Sequence, residues 1–212
     1  GAGDFGREVM YAALEHKKME EEVKWKPIAF IENNIEEVGK TIEGIKVISL
    51  EQARDLMDEN VYFIVSVGSP RLRETITKEL LQFFPHVKFA TVIHRSAVVM
   101  PNCKIENGVY IGPNATVAIG CHIKAHVSLN FNVSIGHDCI IERYSVVCPG
   151  CLLSGHTEIG EKTFLGSGVI TYFGVKIGSN CAISAGVTLA RSINDAQKVI
   201  PKPNTMILPF EM

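Results

Sequence analysis

The sequence lacks the features that mark nucleic-acid-binding, membrane-spanning or disulfide-stabilised proteins. It contains no run of basic residues, and its formal net charge is −2, so it gives no indication of nucleic-acid binding. No apolar stretch approaches the length of a membrane span, and no signal peptide is visible. Six cysteines in 212 residues do not indicate a disulfide scaffold. We therefore expect a soluble, cytoplasmic protein without nucleic-acid or membrane partners.

From about residue 92 onward, the sequence repeats every six residues. In steps of six from Ile93, sixteen of seventeen positions are Ile, Val or Leu, and the exception is Thr171. The position four residues further on is always small or β-branched. This pattern is typical of a hexapeptide β-helix, and the density of Ile, Val and Leu indicates its left-handed form. Three hexads make one triangular coil, so the repeat predicts five to six coils stacked like strands of a parallel sheet.

The resulting period of three hexads predicts which side chains stack between coils. Cys103, Cys121 and Cys139 follow this spacing, and we interpret them as small residues that fill the interior. Cys148 and Cys151 of the CPGC stretch fall at the second and fifth positions of one hexad, so one points along the surface and the other inward. A redox CxxC pair instead lies at a helix N-terminus beside a βαβ pattern. We therefore interpret CPGC as architecture.

The first ninety residues alternate between predicted helices and strands. The alternation indicates a small, parallel, Rossmann-like α/β domain. We assign residues 1–90 to this domain and residues 91–212 to the β-helix with a C-terminal tail. The predicted elements are a helix over about 6–21, a strand over 27–33, a helix over 51–60, a strand over 61–69 and a helix over 70–84.

A glycine motif opens the chain. Gly1, Gly3 and Gly6 match G-x-G-x-x-G, which lets a backbone approach a phosphate at a helix N-terminus, and Glu32 stands where a ribose partner often lies. The motif alone is weak evidence for NAD and should follow a strand, so we expect a strand before Gly1. A domain of about 90 residues is short for a dinucleotide fold and better suits a mononucleotide or a nucleotide-sugar. A structural cap without a ligand is the open alternative.

Residues 130–160 contain the pattern N-x6-HD-C-x-I, followed by PG and a further glycine. With the GAGDFGREV opening, this pattern resembles one bacterial family throughout the chain: the sugar O- and N-acyltransferases related to sialic acid O-acetyltransferases and UDP-4-amino-sugar N-acetyltransferases. The resemblance implies a homotrimer, acetyl-CoA in the groove between adjacent prisms, a nucleotide held by the N-terminal domain, and no metal. It also implies that His137 is the general base, that Asp138 orients it, and that the N–H of Gly155 faces the thioester oxygen. The other residues that it implies at the acetyl-CoA site are Asn130, Gly168 and Gly186.

The coil period supports this assignment independently. Gly155 lies one coil above His137, which leaves a slot over the imidazole and an approachable backbone N–H. Acyl transfer needs a base and a donor aimed at the developing oxyanion. Asp138 lies one coil below His156, which predicts a second contact between a carboxylate and an imidazole.

Two positions depart from the family pattern. Many relatives have a second histidine nine residues after the catalytic one, where this chain has Val146. Relatives also usually end in a G-N/V-P-A-K segment, whereas this chain has VIPKPNTMILPF. The first departure affects one contact to the substrate or acetyl-CoA, and the second affects the adenine end of the coenzyme site.

We expect an acetyl-CoA-dependent N-acetyltransferase of a nucleotide-linked 4-amino-4,6-dideoxy sugar. The main alternative is O-acetylation of sialic acid or another sugar, which would not need the nucleotide site. The residues predicted to bind the nucleotide are Gly1, Gly3, Asp4, Phe5, Gly6, Glu32, Asn33, Gly68 and Ser69.

Three other classes stay open as minor alternatives. One is a zinc enzyme resembling the γ-class carbonic anhydrases, which needs three converging histidines. His122, His126, His137 and His156 are available, but no two of them share a stacked column. The second is a non-catalytic trimer that binds nucleotide-sugars, and the third is a nicotinamide oxidoreductase supported by the glycine motif alone.

Overall fold

The computed structural model describes residues 1–15 and 25–201 and shows two kinds of architecture. Short helices and strands form the N-terminal region, and stacked parallel strands form a left-handed β-helix after it. The predicted fold class is confirmed. Within the described part of the chain, no helix is long and apolar enough to cross a membrane.

The N-terminal region contains two α-helices, a 3₁₀ helix and five short strands. β1 pairs with β3 in parallel, β2 pairs with β3 antiparallel, and β4 and β5 form a separate parallel pair. The elements are α1 (Asp4–Leu14), β1 (Ala29–Ile31), β2 (Thr41–Ile42), β3 (Ile45–Ile48), the 3₁₀ helix (Gln52–Leu56), β4 (Tyr62–Phe63), α2 (Pro70–Phe83) and β5 (Lys88–Phe89).

The sequence-based prediction is wrong in the middle of this region. The predicted helix over 51–60 is a 3₁₀ helix of five residues, a length at which an α-helix gains too few hydrogen bonds to offset its nucleation. The predicted strand over 61–69 pairs only at Tyr62 and Phe63. The sheet is not wholly parallel, because β2 and β3 form a tight hairpin. The predicted extension of α1 to Glu21 falls largely on residues 16–24, outside the described residues.

Helix α2 agrees closely with its prediction and connects the two regions. Ser69 caps it by accepting a hydrogen bond from the N–H of Leu72 at 3.4 Å, and Pro70 occupies the first turn. Arg73 of this helix is fully buried. Its Nε donates to the carbonyl of His126 in the β-helix, and its Nη1 donates to the carbonyl of Val67, both at 3.0 Å. Burial lowers the pKa of Arg73 to about 10.

Seventeen two-residue strands, one per hexad, build the prism. They form three parallel sheets in which each strand pairs with those three strands before and after it, so the register advances by 18 residues. The strands are β6 (Val92–Ile93), β7 (Val98–Val99), β8 (Lys104–Ile105), β9 (Tyr110–Ile111), β10 (Thr116–Val117), β11 (His122–Ile123), β12 (Ser128–Leu129), β13 (Ser134–Ile135), β14 (Ile140–Ile141), β15 (Val146–Val147), β16 (Leu152–Leu153), β17 (Glu158–Ile159), β18 (Phe164–Leu165), β19 (Ile170–Thr171), β20 (Lys176–Ile177), β21 (Ala182–Ile183) and β22 (Thr188–Leu189). The domain boundary at residue 90 stays a prediction, and the first strand of the prism begins at Val92.

The repeating aliphatic residues fill the prism and are almost all buried. Thr171, the one polar residue of the series, is also fully buried. Its hydroxyl lies 2.8 Å from that of Thr157 and accepts a hydrogen bond from the N–H of Ser154 at 3.2 Å. The polar atom is therefore satisfied inside the core, which removes most of the penalty of burying it.

The small residues of the repeat also donate hydrogen bonds. The thiols of Cys121 and Cys139 reach the carbonyls of Gly136 and Ser154 in the next coil, at 3.0 and 3.3 Å. The hydroxyl of Ser145 makes the equivalent bond at 2.7 Å. Cysteine, serine and threonine therefore fill this position and also bond the coil above.

Every hexad turns its corner through one residue in the left-handed region of backbone space. Positive φ recurs at every sixth residue from Asn102 to Gly186, and nine of these fifteen residues are not glycine. Such backbone is uncommon for residues with a side chain, with Asn, Asp and His enriched among the exceptions. Because the corners stack, they form three columns along the prism. Asp138 and His156 occupy neighbouring places in one column.

The last coil is shorter than the others. The final strand, β23 (Lys198–Val199), pairs with β21 at a separation of 16 residues, as Ala182 does with Lys198. The bridge between Ile177 and Ile193 has the same spacing. Two residues are therefore missing from the regular period after β22.

Candidate active site

His137 and Asp138 lie at a corner of the prism directly after β13. The aliphatic residue Ile135 enters the core, and the chain then turns through Asp138, whose φ is 57°. Both side chains project outward and are about half exposed. Nδ1 of His137 lies 2.9 Å from Oδ2 of Asp138. An ionised carboxylate only accepts, so Nδ1 carries the proton and Nε2 keeps its lone pair.

Gly155 covers the other edge of the imidazole. A Cβ placed at residue 155 would stand 2.5 Å from Nε2 of His137, so any side chain there would collide with the ring. The carbonyl of Gly155 accepts a hydrogen bond from Gly174 in the coil above. The structure thus places Gly155 over the lone pair of His137, with the slot that the coil period predicts.

His156 brings a second imidazole to the same carboxylate. Its Nε2 lies 3.8 Å from Oδ2 of Asp138, close enough for an ion pair but too long for a hydrogen bond. Its ring meets that of His137 edge to face, with centroids 5.1 Å apart. The stacked-column argument compared only residues one whole coil apart, so it missed that these two histidines, nineteen residues apart, meet.

Phe173 was not among the predicted site residues. It lies one coil above Gly155 and is 67% exposed. Its ring centroid is 5.1 Å from that of His156 and 6.1 Å from that of His137. The same coil period that identified Gly155 points to Phe173 when it is taken one step further.

Gly120 makes room for the carboxylate from below. It lies one coil beneath Asp138 at φ +76°, and a Cβ there would collide with Oδ1 of Asp138. A side chain at this corner would therefore displace the group that orients His137.

The residues implied at the acetyl-CoA site lie at a different corner from His137. Gly168 and Gly186 belong to the column of left-handed residues that also contains Asn132, two residues after Asn130. Oδ1 of Asn130 accepts a hydrogen bond from the N–H of Phe131 at 2.8 Å. A single chain therefore divides the predicted site residues between two corners of the prism.

The predicted nucleotide-binding residues are only partly together. Gly1, Gly6, Glu32 and Asn33 line a cavity of about 430 Å³ whose other walls are mostly apolar. The carboxylate of Glu32 accepts a hydrogen bond from the N–H of Ala2, so it holds the glycine turn as well as facing the cavity.

The remaining members of that set lie away from the cavity walls. The ring of Phe5 packs edge to face on Tyr110 with centroids 5.5 Å apart. Asp4 is exposed, and Ser69 caps α2. Gly3 and Gly68 have open space on their Cβ side.

The other sequence candidates have structural roles. Burial raises the pKa of both Cys148 and Cys151 to about 11, so both thiols stay protonated near neutral pH, which disfavours redox chemistry. His122 pairs with Glu106 at 2.6 Å on strand β11. His126 is buried at another corner. Within the described chain, only two of the four histidines weighed for a zinc enzyme converge.

Models of three protein families match the chain. A model of the PglD N-terminal domain matches residues 1–80. A model of the GMPPB C-terminal domain matches residues 87–172, and a model of the hexapeptide repeat of succinyl-transferase matches residues 156–191. The matches fall on the two architectural regions separately.

The bifunctional protein GlmU of Ruthia magnifica subsp. Calyptogena magnifica is 30% identical over 125 residues, which are 48% of this chain and 28% of that protein. The chain spans about a quarter of the length of the curated relatives that it matches.

Two solved proteins are similar over nearly the whole chain. The acetyltransferase domain of PglB from Neisseria gonorrhoeae has a TM-score of 0.83 at 27% identity, covering 98% of this chain and 97% of that one. Its complex with acetyl coenzyme A has a TM-score of 0.81 at 28% identity, covering 93% and 92%. PerB from Caulobacter crescentus, solved with CoA and GDP-perosamine, shares the fold, with a TM-score of 0.81 at 24% identity and coverage of 96% and 92%.

Proposed function

The chain belongs to the hexapeptide-repeat sugar acyltransferases, and from this premise we propose that it transfers an acetyl group from acetyl-CoA to the amine of a nucleotide-linked 4-amino-4,6-dideoxy sugar. The observation that carries the proposal is the placement of Gly155 over the free edge of His137 while Asp138 holds the opposite edge. The PglB domain, solved with acetyl coenzyme A, supports the choice of donor. PerB, solved with GDP-perosamine, motivates the class of acceptor.

In the proposed reaction, His137 acts as the general base. Nε2 accepts a proton from the sugar amine as the amine nitrogen attacks the thioester carbonyl. The carboxylate of Asp138, 2.9 Å from Nδ1, fixes the ring orientation and stabilises the imidazolium that forms. A positioned base of this kind contributes about 10²- to 10⁴-fold to the rate.

Gly155 supplies the second catalytic element. As the tetrahedral intermediate forms, negative charge develops on the former carbonyl oxygen, and the N–H of Gly155 donates to it. The carbon–sulfur bond then breaks, coenzyme A leaves as the thiolate, and the sugar keeps an amide. Loss of one oxyanion donor typically costs about 10²- to 10³-fold in kcat.

We propose that the active assembly is a homotrimer. His137 lies at one corner of the prism, whereas Gly168 and Gly186 lie in the column of another corner. A threefold arrangement brings one corner of each prism against a different corner of its neighbour, which unites both sets in a single groove for acetyl-CoA. Light scattering should then give three times the chain mass of 23.3 kDa, and a fully active monomer would contradict this assembly.

The nucleotide is assigned to the N-terminal region. Gly1, Gly6, Glu32 and Asn33 line its cavity, and the glycine turn precedes helix α1, whose N-terminus favours phosphate. The engagement of Glu32 with the N–H of Ala2 makes the turn and the predicted ribose contact parts of one unit.

An assay of coenzyme A release tests the proposal. Purified protein is incubated with acetyl-CoA and with UDP-, dTDP- and GDP-linked 4-amino-4,6-dideoxyhexoses, and separately with sialic acid. His137→Ala is run in parallel, and His86→Ala, which changes an exposed histidine, is the matched control. Turnover with an amino sugar that is lost only in His137→Ala supports the proposal and identifies the nucleotide. Turnover with sialic acid alone would replace it with O-acetylation.

A further inference from the structure

Three metal-ligating side chains meet at one corner of the prism. His137, Asp138 and His156 each offer one ligand atom, and these atoms all lie within 4.8 Å of one another. Oδ2 of Asp138 lies 2.9 Å from Nδ1 of His137 and 3.8 Å from Nε2 of His156. A tetrahedral zinc ion with bonds of about 2.0–2.2 Å holds its ligand atoms about 3.4 Å apart. The observed separations bracket this value, so small side-chain rotations bring the atoms onto one ion.

The backbone fixes these residues before any ion arrives. Asp138 and His156 are consecutive members of one left-handed column, both with φ 57°. The N–H of His156 donates to the carbonyl of His137 at 2.9 Å. Phe173 packs edge to face against the ring of His156. Ligands carried by such a rigid scaffold lose little conformational freedom on binding.

The donor set selects a class of ion. Two imidazoles and one carboxylate suit Zn²⁺, Co²⁺, Ni²⁺ and Cu²⁺, whereas Mg²⁺ and Ca²⁺ prefer oxygen ligands alone. All three side chains are about half exposed, so an ion reaches them from solvent and keeps water in its remaining position.

We propose that His137, Asp138 and His156 form a binding site for a divalent transition ion such as Zn²⁺, and that bound ion and acyl transfer exclude each other. The second half rests on the proposed function, in which His137 is the base. A neutral imidazole has one N–H and one lone pair. An ion on Nδ1 leaves the proton on Nε2, and an ion on Nε2 occupies its lone pair. In either case Nε2 accepts no proton from the acceptor amine.

The site itself is tested by binding, without any substrate. Zn²⁺ and Mg²⁺ are titrated into the full chain by calorimetry, and Co²⁺ is followed by its visible spectrum. We expect one Zn²⁺ per chain, no Mg²⁺ binding, and a cobalt spectrum without thiolate charge transfer. His156→Asn should weaken Zn²⁺ at least about tenfold. The matched control is His122→Asn, which removes a histidine paired with only Glu106 and should bind as wild type does. Equal Zn²⁺ affinity in wild type and His156→Asn would overturn the site.

Inhibition is tested separately by measuring the acetylated sugar by chromatography, because free coenzyme A thiol also binds zinc. For each variant the readout is the ratio of its rates with and without Zn²⁺. We expect wild type and His122→Asn to lose most of their rate near saturating Zn²⁺, and His156→Asn to need at least about tenfold more Zn²⁺ for the same loss. Binding without any loss of rate would overturn mutual exclusion. If no acceptor is turned over, the proposed function fails, while the binding titrations still decide the metal site.

Discussion

The backbone of Gly155 lies so close over the imidazole of His137 that a Cβ at residue 155 would stand 2.5 Å from Nε2. This relationship joins the base and the oxyanion donor across two adjacent coils. A methyl group there would fill the space in which the amine and the thioester must meet.

We therefore expect Gly155→Ala to lower kcat/KM at least about 100-fold while the fold is kept. Ser154→Ala changes the preceding side chain without entering the slot and is the control. Circular dichroism verifies folding, and steady-state kinetics gives the loss. Near-wild-type activity of Gly155→Ala would remove Gly155 from the mechanism.

The partner of His137 should be nearly as sensitive as the base. Asp138→Asn replaces an acceptor-only carboxylate with an amide that also donates, so it no longer fixes the proton on Nδ1 of His137. We expect kcat to fall at least about 100-fold, measured by steady-state kinetics at saturating acetyl-CoA. Asp58→Asn, an exposed position far along the sequence, should leave kcat unchanged. If both variants behave alike, the orienting role is wrong.

The exposed ring of Phe173 stands one coil above Gly155, where it bounds the upper end of the slot. We expect Phe173→Ala to accept a longer acyl chain, because removing the ring leaves space for extra methylenes. The ratio of kcat/KM for butyryl-CoA to that for acetyl-CoA should rise about tenfold or more. Tyr172→Ala removes the neighbouring exposed aromatic and should keep the wild-type ratio. An unchanged ratio in Phe173→Ala would show that another group limits chain length.

His126 should make the fold sensitive to mild acid. Burial, with the positive charges of Arg73 and Arg143, lowers the pKa of His126 to about 4, against about 6.5 in an unfolded chain. Between these values the unfolded state binds a proton that the folded state does not, so stability falls as the pH drops through this window and is intact above it. At about pH 5 the loss attributable to His126 is roughly 2 kcal/mol.

Urea unfolding at about pH 7.5 and pH 5 measures this effect at one chain concentration. His126→Asn removes the titrating group and keeps a residue that tolerates positive φ. It should be less stable than wild type at neutral pH, since it loses the ring contacts with Phe89 and Tyr144, but its stability should depend less on pH. His86→Asn should keep the wild-type pH dependence. The same pH dependence in His126→Asn would assign the effect to other groups.

The sequence was sufficient to predict the prism, because each hexad satisfies the same local packing rule. The same repetition placed Gly155 over His137. It did not reveal the left-handed corners, since Asn, Gly, Asp, His and Lys share one backbone conformation there without sharing side-chain chemistry. For that reason the sequence gave no sign that Asp138 and His156 occupy positions where side chains are uncommon.

The N-terminal region was harder to predict for a different reason. Its strands have two to four residues, and their lengths depend on the partners that tertiary contacts provide rather than on local propensity. The run 61–69 is apolar enough for a long strand, yet only Tyr62 and Phe63 pair, because β5 has only two residues to offer. The 3₁₀ helix over Gln52–Leu56 shows the same limit for helices.

The shortened last coil has a consequence for how these molecules associate. The end of a regular parallel prism presents unpaired N–H and C=O groups to which a second prism adds strand by strand, as in a growing fibre. Here Ala182 pairs with Lys198 and Ile177 with Ile193 at a spacing of 16 residues, so an incoming coil of regular length matches only part of the rim. Two missing residues thus work against end-to-end polymerisation and leave the sides of the prism as the surfaces for assembly.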